Sequence, residues 1–337
     1  MRLRTTLATA TAVTITSLAL MTGLKGDTPV DPSGKWSPAG SMTAGRERAS
    51  AALLSDGSVL VMGGRTADGA VSGGERFAGG VWSAGPSPVQ RWGQTATTLA
   101  DGTVIIAGGT GVTGVDEEGR PVTAPSAAIE RFDPSTGEVT ALSFLSSPRT
   151  GHAATRLNDG RVLFAGGFDG NAVVGDVEIL DPETGLLTPG PADLDVPRAG
   201  LSATTLMNGR VLIAGGNDGQ NDLKIAEIYD AEAGIVFSGE MSVARRDHQA
   251  VLLPHNNQVL IVGGVSNGQA AGAELYRPWT GTFLPTGAPA VARIGSSAVA
   301  LATAPQPDSE PVRVRCTIFD EHGERVRSMI DAPWSGG

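Results

Sequence analysis

A short apolar run that ends in two glycines occurs five times in this chain. The runs are VLVMGG, VIIAGG, VLFAGG, VLIAGG and VLIVGG, with doublets that begin at Gly63, Gly108, Gly166, Gly215 and Gly263. Consecutive doublets lie 45, 58, 49 and 48 residues apart. A period of about fifty residues, built from short β-type runs, is typical of a propeller in which each repeat forms one four-stranded blade.

Each repeat divides into four candidate strands, a to d. Strand a follows an arginine, and strand b ends at the doublet. In repeats 1 to 4 an Asp-Gly or Asn-Gly pair such as Asp159-Gly160 separates the two strands. These pairs tolerate the positive φ angles of a tight hairpin, so strands a and b are expected to be antiparallel neighbours. Strand c reads IERFDPSTG, VEILDPETG, AEIYDAEAG or AELYRPWTG, and a short strand d such as LLTPG follows it.

The doublet, the E-x-Y-D-P-x-T-G pattern of strand c and the fifty-residue period resemble kelch repeats. The resemblance covers essentially the whole chain from about Lys35. It implies an all-β chain folded as a kelch-type β-propeller. It does not specify a function, because this fold serves many.

The number of arginines that precede a strand a indicates the number of blades. Such an arginine occurs six times, at Arg46, Arg91, Arg149, Arg198, Arg245 and Arg293. The sixth repeat lacks a doublet and a strand d, whereas KWSPAG (residues 35–40) matches the d strands and precedes the first repeat. We therefore predict a six-bladed propeller closed by an N-terminal strand that completes the last blade, which removes an exposed sheet edge.

These patterns divide the chain into an N-terminal segment, one domain and a short tail. The expected bounds are 1–32 for an export signal and linker, 33–331 for the propeller, 332–337 for the tail, and, for the blades, 46–84, 91–142, 149–189, 198–239, 245–286, and 293–330 together with 35–40.

The N-terminal segment has the pattern of an export signal. Arg2 and Arg4 precede an apolar stretch from Leu7 to Met21. A positively charged start followed by a short apolar region is typical of a secretory signal peptide, although an uncleaved anchor or an apolar tail are the alternatives. We expect an exported protein, periplasmic or extracellular, with an undetermined cleavage site. No later stretch is long and apolar enough to span a bilayer.

Charge restricts the partners. The formal net charge of -10 argues against nucleic acid and anionic membranes. The candidate partners are an anionic small molecule, a glycan or a protein. We expect no cofactor and no metal.

The repeated arginines have two interpretations. The arginines stand at the face that carries the variable b–c loops: Arg46, Arg91, Arg149, Arg198, Arg245 and Arg293, with Arg48 and Arg246 beside them. Guanidinium groups match carboxylate and phosphate geometry. These arginines are therefore candidate ligand residues at an axial mouth. Alternatively, they pair with one glutamate per strand c and connect neighbouring blades; these glutamates are Glu75, Glu130, Glu178, Glu227 and Glu274.

The b–c loop of the second repeat, Thr110 to Ala127, is the longest. Loops that vary on a uniform scaffold often carry function, and this one is long enough to form a flap. Its acidic residues Asp116, Glu117 and Glu118 form either a solvated loop or a contact for a partner or cation.

The sequence gives little support for a catalytic or metal site. The galactose oxidases, which use a kelch-type propeller, need two tyrosines, two histidines and a cysteine cross-linked to one tyrosine. Here Tyr229 and Tyr276 occupy a repeated core position and Cys316 lies in an apolar strand, so copper chemistry of that type is not expected. His152 and His248 share a strand a position that repeats 2, 4 and 6 fill with Gln94, Leu201 and Ser296, so a ligand role is not expected for them. Asn217 to Asp222 mimics part of a calcium loop but lacks its downstream glutamate.

We therefore predict a ligand- or protein-binding scaffold rather than an enzyme. Two alternatives remain open. One is a carbohydrate isomerase acting on an acidic sugar, similar to the exported sialate mutarotases, which are kelch propellers. The other is a module of a cell-surface adhesion system.

Overall fold

The computed structural model describes residues 42–286, except 67, 68, 72, 87, 88, 254 and 255. Every regular element within these residues is a β-strand. The predicted export signal, the strand at 35–40 and the sixth repeat, with Arg293 and Cys316, lie outside the described residues.

The described part contains 27 strands, many of only four or five residues. The first thirteen are β1 (Ser50–Leu53), β2 (Val59–Met62), β3 (Arg65–Thr66), β4 (Gly69–Ala70), β5 (Gly74–Ala78), β6 (Val81–Gly85), β7 (Arg91–Trp92), β8 (Thr95–Thr98), β9 (Val104–Ala107), β10 (Thr110–Val115), β11 (Pro121–Pro125), β12 (Ala128–Phe132) and β13 (Val139–Phe144). The others are β14 (Ala153–Arg156), β15 (Val162–Ala165), β16 (Val177–Leu180), β17 (Leu187–Pro189), β18 (Ser202–Thr205), β19 (Val211–Ala214), β20 (Ile225–Asp230), β21 (Gly234–Glu240), β22 (Gln249–Leu253), β23 (Gln258–Val262), β24 (Val265–Ser266), β25 (Gln269–Ala270), β26 (Ala273–Arg277) and β27 (Thr282–Thr286).

Five antiparallel sheets of four strands form the scaffold, and we call them blades 1 to 5. Their strand orders are β1-β2-β5-β6, β8-β9-β12-β13, β14-β15-β16-β17, β18-β19-β20-β21 and β22-β23-β26-β27. The a-to-d order predicted for each repeat is thus confirmed in all five. Smaller sheets, β3-β4, β7-β10-β11 and β24-β25, lie in the connections.

The hydrophobic core lies between neighbouring blades. The two faces of each b strand contribute to the core on either side of its blade. In β9, Ile105 and Ala107 pack against blade 3, whereas Val104 and Ile106 pack against blade 1. Alternate residues of a strand point to opposite faces, so a strand covered on both faces must be apolar throughout. This explains why VIIA and its counterparts show no polar alternation.

The blades are arranged in a curved row around their a strands. Each a strand contacts the next, in the order β1, β8, β14, β18 and β22. The row bends back on itself, because Arg48 Nη2 of blade 1 lies 3.9 Å from Asp247 Oδ2 of blade 5. The described residues therefore form an all-β, propeller-like arrangement.

The glycine doublet allows neighbouring blades to approach closely. Gly166 has a φ of 64°, and a Cβ added there would lie 2.5 Å from the carbonyl oxygen of Arg198 in the next blade. Only a residue without Cβ fits such an approach. The doublet is therefore a contact between blades as well as the end of strand b.

Candidate functional site

The repeated arginines and glutamates form ion pairs. The arginine before strand a reaches the glutamate of strand c in every described blade, through Arg46–Glu75 (3.0 Å), Arg149–Glu178 (2.8 Å), Arg198–Glu227 (2.7 Å), Arg245–Glu274 (2.8 Å) and Arg91–Glu130. The first four pairs are buried. Arg149, for example, also donates from Nη1 to the carbonyl of Gly166 at 3.2 Å.

Each pair joins two strands of one blade, not neighbouring blades as the sequence suggested. Arg149 precedes β14 and Glu178 lies in β16, and both strands belong to blade 3. The link between blades is made by the arginine main chain instead. Its carbonyl accepts the N–H of the second doublet glycine of the preceding blade, as in Gly109 to Arg149 (2.9 Å) and Gly167 to Arg198 (2.9 Å). The arginine thus connects blades through its backbone and braces its own blade through its side chain.

Burial favours the ion-pair interpretation over ligand binding at four of the candidate positions. Arg46, Arg149, Arg198 and Arg245 have almost no exposed side chain. Burial lowers the pKa of Arg198, while Glu227 opposes that shift. Arg91 differs because its side chain is 12% exposed and its partner Glu130 is 21% exposed.

His152 and His248 connect blades from inside. The Nε2 of His152 lies 2.9 Å from Thr95 Oγ1 of blade 2, and the Nε2 of His248 lies 2.9 Å from Ser202 Oγ of blade 4. Burial, reinforced by nearby arginines, lowers the pKa of each imidazole to about 3. Both rings are therefore neutral at physiological pH and are placed as structural groups.

A row of main-chain hydrogen bonds runs from blade 1 to blade 5 at the end of the a strands where the arginines stand. We call this end the mouth (residues 46–48, 91–93, 149–151, 198–200 and 245–247) and its third residues the collar: Arg48, Gly93, Gly151, Gly200 and Asp247. In blades 2 to 5 the collar N–H donates to the collar carbonyl of the preceding blade, at 2.7 Å for Gly93 to Arg48, 3.0 Å for Gly151 to Gly93, 2.8 Å for Gly200 to Gly151 and 2.8 Å for Asp247 to Gly200.

All five collar residues have a positive φ, including the two that are not glycine. The φ of Arg48 is 51° and that of Asp247 is 50°. A non-glycine residue rarely adopts this conformation, which points to a local role when it does. The sequence carried this signal, because glycine follows the arginine by two residues in repeats 2, 3 and 4.

Arg48 and Arg246 are the exposed arginines among the candidates in the described mouth. Their side chains are 45% and 37% exposed. Arg246 is held by Asp222, whose carboxylate is only 3% exposed and also accepts from Asn217 Nδ2 (2.9 Å) and the N–H of Asn267 (2.9 Å). Asp222 lies in the b–c loop between β19 and β20, and no pattern in the sequence identifies it as the support of Arg246.

Asp247 lies between the two arginines. Its Oδ2 is 3.7 Å from Arg246 Nε and 3.9 Å from Arg48 Nη2. Burial raises the pKa of this carboxyl, Asp222 and Glu47 add to the rise, and Arg48 and Arg246 oppose it. No sequence pattern singles out Asp247, because its position between the two arginines depends on contacts between blades.

At the two positions that follow each repeated arginine, the charged residues lie on one side of the described mouth. Blades 1 and 5 contribute Arg48, Arg246 and Asp247, together with the ion pair between Glu47 and Arg65. The corresponding first two positions of blades 2, 3 and 4 after the arginine are uncharged. An ionic ligand would therefore find its counter-charges on the side of blades 1 and 5.

The long loop of blade 2 is a β-hairpin. Strands β10 and β11 pair, and β10 also pairs with β7 at the mouth. At the tip, Asp116 accepts from the N–H groups of Glu118 (3.0 Å) and Arg120 (2.8 Å), and Arg120 pairs with both acidic side chains. These acidic residues are thus partly neutralised within the loop, while Glu117 has no role in this network.

The tyrosines are core residues, as predicted. Tyr229 is fully buried and donates to the carbonyl of Ala192 at 2.9 Å, and Tyr276 packs against Phe283. Within the described residues, no three His, Cys, Asp or Glu side chains are arranged to hold a metal ion. The same part of the chain contains no helix of the length and apolarity needed to cross a membrane.

Comparison with known proteins supports the fold. No protein-family model and no curated protein matches this sequence. A solved structure titled "Structure of YjhT" is similar, with a TM-score of 0.62 and 14% sequence identity over 86% of this chain and 95% of that one. At this level of identity the similarity concerns the fold alone, and the chain shares an all-β, propeller-like architecture with that structure.

Proposed function

We propose that this protein is a ligand-binding propeller that takes an anionic small molecule at the mouth, on the side of blades 1 and 5. The observation that carries the proposal is the contrast among the arginines. Four are buried in ion pairs, whereas Arg48 and Arg246 keep 45% and 37% of their side chains exposed at the collar. Two guanidinium groups within reach of one carboxylate, that of Asp247, form a pair that suits an anion.

The class of ligand follows from this chemistry. A guanidinium group forms paired hydrogen bonds with carboxylate or phosphate oxygens, and a sugar acid offers a carboxylate next to hydroxyl groups. A carboxylated sugar is therefore the ligand we would test first. An isomerase acting on such a sugar remains the alternative within this class, and the fold likeness is its only support.

Calorimetry with glucuronate tests the site, with glucose as the neutral comparison. We expect glucuronate to bind, the affinity to fall with salt because half-exposed charges are screened, and Arg48→Ala with Arg246→Ala to abolish binding. Arg161→Ala is the matched control, since this arginine is 36% exposed, pairs with Asp159, and lies at the a–b turn on the other end of blade 3. Unchanged binding in the double variant would refute the mouth site.

A second candidate function, partner binding by the hairpin of blade 2, is supported by its exposed apolar side chains. Val112, Val115 and Val122 are 53%, 67% and 43% exposed on β10 and β11. Such residues on a projecting hairpin suit a protein contact. Replacing residues 112–123 with a two-residue turn separates the functions: loss of a partner, with glucuronate binding retained, would favour the adhesion module.

We further propose that the ring has six blades and that residues 35–40 supply the fourth strand of the last. The support is the sequence match of KWSPAG to the d strands and the curvature that brings blade 5 to blade 1. Deleting residues 33–40 should lower the melting temperature and promote association through the exposed sheet edge. A truncated protein that stays monomeric and melts within about two degrees of the parent would contradict closure.

Kelch ancestry and export are inferences from the sequence. The repeats support the first, and Arg2, Arg4 and the apolar stretch after them support the second. N-terminal sequencing of protein recovered outside the cytoplasm should reveal cleavage before Lys35. Recovery of the intact N-terminus from the cytoplasm alone would contradict export.

A further inference from the structure

We propose that Asp247 is an internal competitor at the mouth: its carboxylate occupies the place between Arg48 and Arg246 that the anionic group of a ligand takes. This inference rests on the proposed function and adds that the ligand binds by displacing Asp247. The ligand thus needs an anionic group of its own, because a neutral ligand cannot replace the lost ion pairs.

The backbone indicates that Asp247 has a specific role. It stands at a collar position that blades 2, 3 and 4 fill with Gly93, Gly151 and Gly200. With a φ of 50° it adopts a conformation that costs an aspartate more than a glycine. The same N–H, donating to Gly200 at 2.8 Å, would be present in a glycine. The collar therefore does not require the side chain.

The distances distinguish Asp247 from Asp222. The side chain of Asp222 is almost fully buried, bonds Arg246, and accepts two further hydrogen bonds, so it holds that arginine in place. Asp247 lies 3.7 and 3.9 Å from Arg246 and Arg48, beyond the usual 2.7–3.2 Å of a hydrogen bond to nitrogen. One carboxylate is thus a fixed support, while the other is a loose occupant.

The electrostatic environment makes this occupant replaceable. Asp222 and Glu47 repel the Asp247 carboxylate, and burial disfavours its charge, so the two arginines compensate it incompletely. A ligand carboxylate that forms direct hydrogen bonds to both guanidinium groups would gain contacts that Asp247 does not make. Displacement of Asp247 also moves its charge toward water.

Calorimetry with glucuronate and the full-length chain tests the inference. Asp247→Asn keeps the shape without the charge, and Asp247→Gly gives blade 5 the residue found in blades 2 to 4. We expect both variants to bind glucuronate roughly three- to thirty-fold more tightly, the effect expected when two partly exposed ion pairs no longer compete. Asp159→Asn is the control, because Asp159 is half-exposed and pairs with Arg161 far from the mouth.

The outcomes separate the inference from the proposed function. Tighter binding in both Asp247 variants, with loss of binding in Arg48→Ala combined with Arg246→Ala, supports both. If the double arginine variant loses binding while both Asp247 variants bind equally or more weakly than the parent, Asp247 is not a competitor and the proposed function stands. If the double arginine variant binds as the parent does, the site itself is refuted and the competitor role falls with it.

Discussion

The Nη2 of Arg198 lies 2.7 Å from a carboxylate oxygen of Glu227, and neither side chain is exposed to solvent. Burial raises the pKa of Glu227, and Arg198 opposes that rise. The carboxylate also accepts the N–H of Asp195, at 3.2 Å. The pair therefore ties strand c of blade 4 to the segment that enters the blade, at the cost of two desolvated charges.

Arg198→Ala should lower the free energy of unfolding by about 3–5 kcal/mol, because it leaves a buried carboxylate without its counter-charge. Urea unfolding at pH 7 measures this. The control is the exposed ion pair between Arg161 and Asp159. Arg161→Ala should change the free energy of unfolding by no more than about 0.5 kcal/mol. Replacing both partners, as in Arg198→Met with Glu227→Leu, should cost less than Arg198→Ala alone. Equal losses for Arg198→Ala and Arg161→Ala would refute the structural role of the pair.

The buried histidines should make the protein sensitive to acid. Each imidazole has a pKa of about 3 in the folded protein, against about 6.5 when unfolded. Because the folded pKa is the lower one, stability is complete above about pH 6.5 and falls as the pH drops toward 3, by up to about 1.4 kcal/mol per pH unit for each histidine. Unfolding midpoints measured from pH 7 to pH 4 should show this slope.

His152→Gln with His248→Gln is the variant that tests the acid effect. Glutamine already fills the same position in blade 2, where Gln94 Nε2 donates to Ser50 Oγ at 3.1 Å. The double variant should lose stability less steeply below pH 6.5 than the parent. Parallel pH profiles would show that other groups dominate acid unfolding.

Gly166→Ala and Gly160→Ala should differ although both glycines have a positive φ. A Cβ at Gly166 would lie 2.5 Å from the carbonyl oxygen of Arg198, whereas a Cβ at Gly160 meets nothing within 4 Å. The turn variant should lose about 1–2 kcal/mol from backbone strain alone. The doublet variant should lose clearly more, because blades 3 and 4 must also separate. Similar melting curves would contradict the close approach.

Leu201 and Ala153 should be energetically coupled. In blades 3 and 5 a histidine, His152 or His248, contacts a hydroxyl group of the preceding blade. In blade 4 the equivalent of this histidine is Leu201, and in blade 3 the equivalent of the hydroxyl-bearing residue is Ala153, which lies in the same core cluster as Leu201. Leu201→His should cost about 2–3 kcal/mol, since its ring nitrogen finds no partner. Adding Ala153→Ser should recover about 1 kcal/mol of that loss. Strict additivity in the double-mutant cycle would exclude the coupling.

The sequence predicts what each repeat does by itself. Three signals are local or periodic: the turns such as Asp159-Gly160, the apolar b strands, and the spacing of arginine and glutamate. The strand order of the five sheets agrees with the order that these signals predict. Contacts between blades carry no such signal. The partner of His152 is Thr95, and the support of Arg246 is Asp222, so both depend on which blades are neighbours. The interpretation that Arg149 and Glu178 connect neighbouring blades was wrong, because a periodic spacing does not show whether a pair forms within one blade or between two.

The ion pair of blade 2 shows how far a b–c loop can change without disturbing its blade. Arg91 and Glu130 are 39 residues apart in sequence, whereas Arg198 and Glu227 are 29 apart, and both pairs form. The ten additional residues are accommodated in the hairpin of β10 and β11. The insertion point between strands b and c is therefore a natural grafting position, where foreign loops can be exchanged while the arginine and glutamate at its base keep the blade in register.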